Sequence, residues 1–361
     1  MKRIVVSVTN DLVTDQRVYK VCKSLQKLDF DILLIGRQLK NSPPINRPYK
    51  TYRMRLLFNK GILFYTEYSI RLFFKLLFTK KDILLSNDLD TLLPNYMISQ
   101  LQKKKLVYDS HELFTEVPEL IHRPKVQKIW IGIEEKILPK LKNCYTVCQS
   151  IADYYNNKYG TNFSVIRNLP EKTELTISKF PFNSDGKKII LYQGAINKGR
   201  GLELMINTMQ HLDNYIFVII GTGDILHELK EKVNDLKIDD KIKFLGRIEP
   251  NKLSELTPLA DIGISIEEDL GLNYHYALPN KIFDYIHAEI PILVSDLPEM
   301  KNIIEKYNVG EIVENRNPKA FAKQLNNILG KKYFKELQLA KKELIWEKEE
   351  GELKIIYSYL S

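Results

Sequence analysis

The sequence predicts an α/β protein of two doubly wound, Rossmann-like domains, each a parallel sheet with helices on both faces. Short apolar, β-branched runs alternate with helical periods along nearly the whole 361-residue chain. The alternation breaks once, over 169–186, where prolines, Ser/Thr and Lys replace any sustained period, and then restarts. The expected layout is a first domain over 1–168, a linker over 169–186, a second domain over 187–332 and a C-terminal helix over 333–361.

Residues 3–9 read as a buried strand, 15–28 as a helix with Val18, Val21, Cys22 and Leu25 on one side, and 31–35 as a strand. Strands follow at 83–86, 106–109 and 144–148, with helices at 92–103, 125–141 and 151–159, and 165–168 closes the first series. The second series has strands at 188–192, 216–220, 242–244, 262–265 and 291–295. Its helices are expected at 202–211, 225–236, 252–256 and 319–329, with a short one opened by Pro279. The stretch 333–360 reads as helical, carrying Trp346, Leu353, Ile356 and Tyr357, with the option of crossing back onto the first domain. Ligands of such sheets bind beyond the carboxyl ends of the strands, so a cleft between the domains is the expected site.

Residues 53–81 are rich in Leu, Phe and Tyr but are interrupted by Glu67, Arg71 and Lys75. A membrane span needs ~20 mostly apolar residues, so this is none. Two readings stand: a helix half-buried against its own domain, or an amphipathic helix with basic flanks lying in a membrane surface.

Hydrophobic content of 44% and charged content of 27% are those of a soluble globular protein. A net charge of +9 favours polyanionic partners, although many lysines also simply solvate a surface. Cys22, Cys144 and Cys148 form no disulfide framework, and no histidines stand near them at zinc spacing; structural thiols and no metal are expected. Met-Lys-Arg leads directly into Ile-Val-Val-Ser-Val, too soon for a signal peptide, so a cytoplasmic location is expected.

Proline suits a first helical turn because its missing N–H would be unpaired there, so Pro279 opens a helix. Lys281 and Asp284 are three apart and share one face, while Ile282, Phe283 and Ile286 pack down. A helix start with a cation (Asn280 beside it) and a carboxylate one turn on suits a diphosphate joined to a sugar diol. Earlier, Tyr192 to Gly201 reads Tyr-Gln-Gly-Ala-Ile-Asn-Lys-Gly-Arg-Gly: a strand end, a loop with Gly194, and a helix start. Lys198 and Arg200 there can neutralise phosphate, Arg200 better because its planar fork binds in bidentate fashion; the plainer reading is a solvated basic turn.

Gly221-Thr222-Gly223-Asp224 resembles a truncated dinucleotide fingerprint, but Leu226 stands at the third glycine position. No acid follows at a strand end at the usual distance of ~20 residues, which excludes an NAD site and leaves a nucleotide-facing rim. Phe244-Leu245-Gly246-Arg247 ends the next strand, where glycine lets a flat base approach the backbone.

In the first half, Asp109, His111 and Glu112 stand at a strand's end, where His111 is either structural or a substrate contact. Asp88 and Asp90 form Asp-x-Asp, which suits a divalent metal but more readily caps the next helix or meets an acceptor. Asp15 or Thr14 would cap the first helix. Arg17 in its first turn opposes the helix dipole, which makes it a candidate anion contact. Asp15, Arg17 and Asp88 form the expected acceptor side.

With these residues set out, the chain resembles the GT-B fold glycosyltransferases, most closely the retaining family 4 type. The resemblance covers nearly the whole chain and is strongest over 192–300. It rests on Arg200-Gly201, Ile220-Gly221-Thr222-Gly223, Phe244-Leu245-Gly246, Ala260-Asp261 and the 277–300 stretch from Ala277 to Met300. It implies that Asp284 holds the nucleotide ribose, that Lys281 approaches the diphosphate and that His111 faces the donor sugar. Three departures stand out: Tyr276 and Asp284 occupy the positions of two family glutamates, Ala195 stands where an arginine is common, and residues 10–15 replace a Gly-Gly loop. Arg200, with Lys198, is then expected to carry more of the phosphate charge.

The resemblance implies transfer from a nucleoside-diphosphate sugar to a glycan, lipid-linked or other hydroxyl acceptor, with retention and without metal or other cofactor. Arg200, Lys281 and the helix start at Pro279 would stabilise charge on the leaving diphosphate while His111 orients the sugar. An anionic membrane surface at the inner face is a further expected partner; nucleic acid is not. The rival readings are a sugar-nucleotide epimerase or phosphorylase on the same plan, and a non-catalytic nucleotide-sugar-binding protein at a membrane.

Overall fold

The computed structural model describes residues 1–360 other than 14 and 175. The chain divides into two compact units, Met1–Asn168 with Glu349–Ser361, and Leu169–Lys348.

The first unit begins β1 (Arg3–Asp11), α1 (Gln16–Lys27), β2 (Asp31–Arg37), β3 (Lys50–Met54), α2 (Gly61–Phe78) and β4 (Ile83–Asn87). It continues α3 (Leu89–Leu101), β5 (Lys105–Ser110), α4 (Pro118–Ile121), α5 (Pro124–Ile137), β6 (Cys144–Thr146), α6 (Gln149–Tyr159) and β7 (Phe163–Val165). Its seven strands run in the order β3-β2-β1-β4-β5-β6-β7, and every pair is parallel. Val5 of β1 lies between Leu33 and Leu84, so the central strands are apolar on both faces, as a sheet covered by helices requires. The buried side of α1 includes Val18, Val21, Cys22 and Leu25, the stripe the periodicity predicts.

Strand β3 is absent from the sequence reading because Lys-Thr-Tyr-Arg-Met is a short, mostly polar edge strand with no apolar run. Its end at Met54 also corrects the 53–81 segment, which is a strand end, a loop and then α2.

The second unit comprises β8 (Lys188–Gln193), α7 (Leu202–Thr208), β9 (Tyr215–Ile220), α8 (Leu226–Leu236), β10 (Ile242–Gly246), α9 (Pro250–Leu256) and β11 (Ile262–Ser265). Then follow α10 (Leu272–His275), α11 (Asn280–His287), β12 (Ile292–Val294), α12 (Pro298–Tyr307), β13 (Gly310–Ile312), α13 (Pro318–Leu329) and α14 (Phe334–Glu343). Its six strands are again all parallel, in the order β10-β9-β8-β11-β12-β13. The core is built around Ile190, Phe217, Val218, Ile264, Ile282 and Phe321, all essentially inaccessible. Asp261, at the entry to β11, ties that strand to β8: its Oδ2 accepts from the Ile189 N–H at 2.8 Å and its Oδ1 meets Lys188 Nζ.

Two further expectations need correction. Residues 169–186 contain no helix or strand among those described, yet they are no free tether. Leu169 is buried, the Ser178 N–H donates to Glu255 O at 3.0 Å, and Phe180 stacks on Phe182 against the second core. The 333–361 stretch is two helices, not one, because the chain turns at Leu344, whose carbonyl meets His287 Nε2 at 2.7 Å. The second of them, α15 (Trp346–Ser358), starts in the second unit and from Glu349 belongs to the first.

Candidate active site

The second sheet changes winding direction between β8 and β11, the kind of switch point where ligands bind outside the strand ends. Glu267 stands two positions beyond β11 and its side chain is fully buried. Its backbone is pinned: Ser295 Oγ donates to the Glu267 carbonyl at 2.5 Å, and Arg316 Nη2 donates to it at 2.8 Å and to the Ile266 carbonyl at 2.7 Å. Ser265 Oγ holds carboxylate oxygen Oε2 at 2.8 Å. Burial pushes this carboxyl up, but Lys281, Arg200 and Ser265 outweigh that and hold it below the usual range.

Two cations converge on the other oxygen. Lys281 Nζ donates to Oε1 at 2.6 Å and sits 4.4 Å from the Tyr192 ring centroid. Arg200 Nη1 lies 3.5 Å from the same oxygen, with its guanidinium 5.0 Å from the Tyr274 ring centroid. Arg200 Nε has no hydrogen-bond partner among the described residues. The buried anion thus fixes two cations side by side, and the sum leaves one positive charge at the strand ends.

The glycine loops surround this cluster. Gly201 has φ 73°, and a Cβ there would fall 2.3 Å from the Ile266 carbonyl, so only glycine lets the Arg200 turn approach the β11 loop. Gly221 has φ 149°, and its Cβ would fall 1.8 Å from the Gly194 carbonyl. Gly194 is exposed beside the Lys281 stem, its N–H donating to Ile220 O at 2.9 Å, and the Gly221 N–H donates to Gly246 O at 2.8 Å. Gly223 packs on the Ile196 carbonyl. Lys198, Arg247 and Asn280 are exposed, the last at the first position of α11. Asp284 is half-buried and its Oδ2 accepts from Gln193 Nε2 at 2.8 Å, while Gln193 Oε1 accepts from Thr257 Oγ1.

Lys281 and Asp284 are three apart as the spacing predicts, but Lys281 is turned onto Glu267 rather than held open to solvent. The sequence reading missed the organising role of Glu267, and missed Gln193, Tyr274 and Arg316. The available signal was position, since an acid directly beyond an apolar strand stands at its carboxyl end.

A second charged group lies in the first unit. Asp109, at the end of β5, is fully buried and accepts from Arg17 Nε at 3.0 Å and Nη2 at 2.7 Å. His111 lies between two carboxylates, Nδ1 3.1 Å from Asp88 Oδ2 and Nε2 3.2 Å from Asp109 Oδ2. Burial alone would lower the imidazole's affinity for its proton; Asp88 and Asp109 reverse this and hold its pKa well above the ordinary value. The His111 N–H also donates to Asp88 Oδ1 at 2.7 Å.

Three expectations are corrected here. Arg17 is no open anion contact: a buried carboxylate needs a countercharge, and Nη1 is also spent on Ile166 O at 2.8 Å. Asp88 sits at the N-cap of α3 with φ 57° but makes no side-chain cap; its carboxylate holds His111 instead. Asp90 does not pair with it as a chelate. It accepts from Thr9 Oγ1 at 2.5 Å, and burial, then the charge of Asp88, push its carboxyl up to about 8. Among the described residues no three His, Cys, Asp or Glu side chains form a metal cluster. Asp15 does cap α1, accepting from the Val18 N–H at 3.0 Å and from Asn10 Nδ2 at 2.9 Å, while Thr14 lies outside the described residues.

Comparison with known proteins defines the class first. The chain matches sucrose-phosphate synthase (tll1590) from Thermosynechococcus elongatus with TM-score 0.80 and 14% identity, over 100% of this chain and 99% of that one. It matches Anabaena Alr3699/HepE, solved with UDP and glucose, with TM-score 0.74 and 11% identity, over 99% and 100% of the two chains. The fold is the two-domain GT-B fold.

Within that class, residues 174–343, just under half of the chain, match the family described as glycosyl transferases group 1. It is 28% identical over 157 residues to an uncharacterized glycosyltransferase, MJ1607, of Methanocaldococcus jannaschii, spanning 42% of this chain and 38% of that one. It is 25% identical over 134 residues to alpha-monoglucosyldiacylglycerol synthase of Streptococcus pneumoniae, spanning 36% of this chain and 29% of that one. The matches therefore span less than half the length of these curated relatives.

Proposed function

We propose that this protein transfers a sugar from a nucleoside-diphosphate donor to a hydroxyl of a glycan or lipid-linked acceptor, with retention and without a metal. The observation that carries this reading is the Arg200–Glu267–Lys281 cluster at the ends of β8 and β11. In the reaction the bond from the anomeric carbon to phosphate oxygen breaks, and negative charge grows on the departing diphosphate. Cations already held in place stabilise that charge without reorganising, which is where such sites lower a barrier most. Arg200 adds an Nε–H with no partner among the described residues. Its planar fork suits phosphate.

Asp284, whose Oδ2 is held by Gln193, accepts from the ribose hydroxyls in this reading. Gly194, Gly221, Gly223 and Gly246 keep the strand-end loops low beneath the base and diphosphate, with Lys198, Arg247 and Asn280 on the exposed rim. The acceptor attacks the face the diphosphate leaves, and the leaving phosphate oxygen takes the acceptor's proton, so no side-chain nucleophile is required. His111 keeps the sugar-orienting role the resemblance implies, at the cost of leaving Asp88 or Asp109 with one ring nitrogen. Asp15, Arg17 and Asp88 are engaged within the first unit, so the proposal gives them no acceptor contact. A uridine donor is supported by the UDP bound to HepE, and a lipid acceptor by the name of the pneumococcal relative.

The test is thermal denaturation with UDP-, GDP- and ADP-sugars, then incubation of the best donor with and without an acceptor extract. One donor is expected to stabilise the fold by about 2.7 kcal/mol at a hundredfold excess over its Kd. Nucleoside diphosphate should then be released only with acceptor. Isomerisation of the donor alone would make the protein an epimerase, and a bound donor never consumed would make it a binding protein.

A further inference from the structure

We propose that the exposed face of α2, with the groove between α2 and β3, docks the first unit onto an anionic lipid bilayer. Helix α2 uses one stripe, Phe64, Tyr68, Leu72 and Leu76, for its own core. A second stripe at the same four-residue spacing faces solvent: Ile62 is 61% exposed, Ile70 53%, Phe74 54% and Phe78 83%. Leu57, in the loop before it, is 78% exposed. Large apolar side chains presented together in water mark a contact surface. The helix thus packs on its unit, as one of the two readings of 53–81 has it, and still leaves an apolar face exposed.

Charge decides the occupant. Beside that face, α2 and the edge strand β3 enclose a groove of about 850 Å³ whose lining includes Arg55, Arg71, Lys75, Ile70, Phe74 and Phe78. Residues 53–81 hold seven Lys and Arg and only one acid, Glu67. Glu67 is taken by Arg71 and Arg53 by Asp11, while Lys81 is buried on carbonyls. Arg55 Nε donates to the neutral Gln38 Oε1 at 3.4 Å, and Lys75 lies 4.0 Å from the Tyr52 ring centroid. Lys60 and Lys80 are exposed. Uncompensated cations bordering an apolar stripe would repel a second copy of the same face. An anionic bilayer satisfies both at once, taking Phe74 and Phe78 into the acyl boundary and offering headgroup phosphates to Arg55 and Lys75. No helix of the described residues is long and apolar enough to cross a membrane, so the contact is interfacial.

The inference is independent of the donor reading and is tested by sedimentation of the whole chain with vesicles, without nucleotide. Vesicles of equal phosphatidylglycerol and phosphatidylcholine should retain it at least ~10-fold better than phosphatidylcholine alone, and added salt should release it. Removing one basic charge at such a surface costs about five-fold in affinity, so Arg55→Glu/Lys75→Glu should lose well over ~10-fold. Phe74→Glu/Phe78→Glu should lose as much, with the circular dichroism melt of both variants unchanged. Leu339→Glu, at an exposed position of α14 in the second unit, should bind like the parent. Equal binding to neutral vesicles, no binding, either double variant binding normally, or loss in Leu339→Glu overturns the proposal. So does self-association that Phe74→Glu/Phe78→Glu abolishes in a chain that ignores vesicles.

Discussion

Nζ of Lys281 lies 2.6 Å from Oε1 of Glu267, and both side chains are buried. The same oxygen draws in Arg200. A cation buried without a partner would lose its charge or destabilise the fold, so the carboxylate is what makes a preset cationic pair affordable. A diphosphate then meets cations whose desolvation has already been met by folding.

Arg200→Ala should lower kcat/KM for sugar transfer by at least ~100-fold, the usual loss when one preorganised donor is removed. Lys281 remains on Glu267, so the variant should fold and melt close to the parent. Initial rates of nucleoside diphosphate release check this, and near-normal turnover removes Arg200 from the leaving-group role.

Glu267→Gln should destabilise the second unit by about 3 kcal/mol, because it strands a buried Lys281. Added UDP should recover more stability in this variant than in the parent, since its phosphates replace the lost countercharge. The sign with pH follows from the lowered carboxyl: its contribution is present above the ordinary glutamate range and is lost as pH falls through the lower folded value. Thermal melts with and without UDP decide it, and equal melting of variant and parent counts against Glu267 as the anchor.

His111 carries the opposite sign. Its folded pKa is raised well above 6.5 by Asp88 and Asp109, so its stabilisation is complete below pH 6.5 and declines as pH rises through the folded value. His111→Gln should therefore be most destabilising in mildly acidic solution, with the gap to the parent narrowing toward alkaline pH. Imidazole titration by NMR should show the ring still protonated at pH 7; a ring already neutral there rejects the paired imidazolium.

Asp90→Asn should stabilise the protein by on the order of a few kcal/mol at pH 9 and by little at pH 4. The Asp90 carboxyl, pushed up to about 8, keeps its proton in the fold over a range where the unfolded chain has lost it. Parent stability attributable to this group therefore falls as pH rises from the ordinary aspartate range through about 8. Denaturant midpoints at the two pH values measure it, and an equal effect at both removes the titration.

Much of the fold is legible because strand and helix periods are local. Strands 262–265 and 292–294 are read almost to the residue, since Ile262, Ile264, Ile292 and Val294 lie in buried apolar runs. Strand β3 is not, because an edge strand buries little and its side chains carry no strong period. Of the site, the loops and the cations are legible from glycines and basic residues at strand ends. Arg17 misleads for a physical reason: a charge in a first helical turn looks available until a buried acid 92 residues away is seen to consume it.

Local chemistry alone thus determines two doubly wound sheets, the Asp15 cap, the glycine loops and the neighbourhood of Lys281 and Asp284. Which charges meet is decided by strand order. Only when β11 lies beside β8 do Arg200 and Glu267, 67 residues apart, share an oxygen with Lys281. Pairing across such separations leaves no periodic trace in the chain, because it is set by which strand ends become neighbours and not by the spacing between residues.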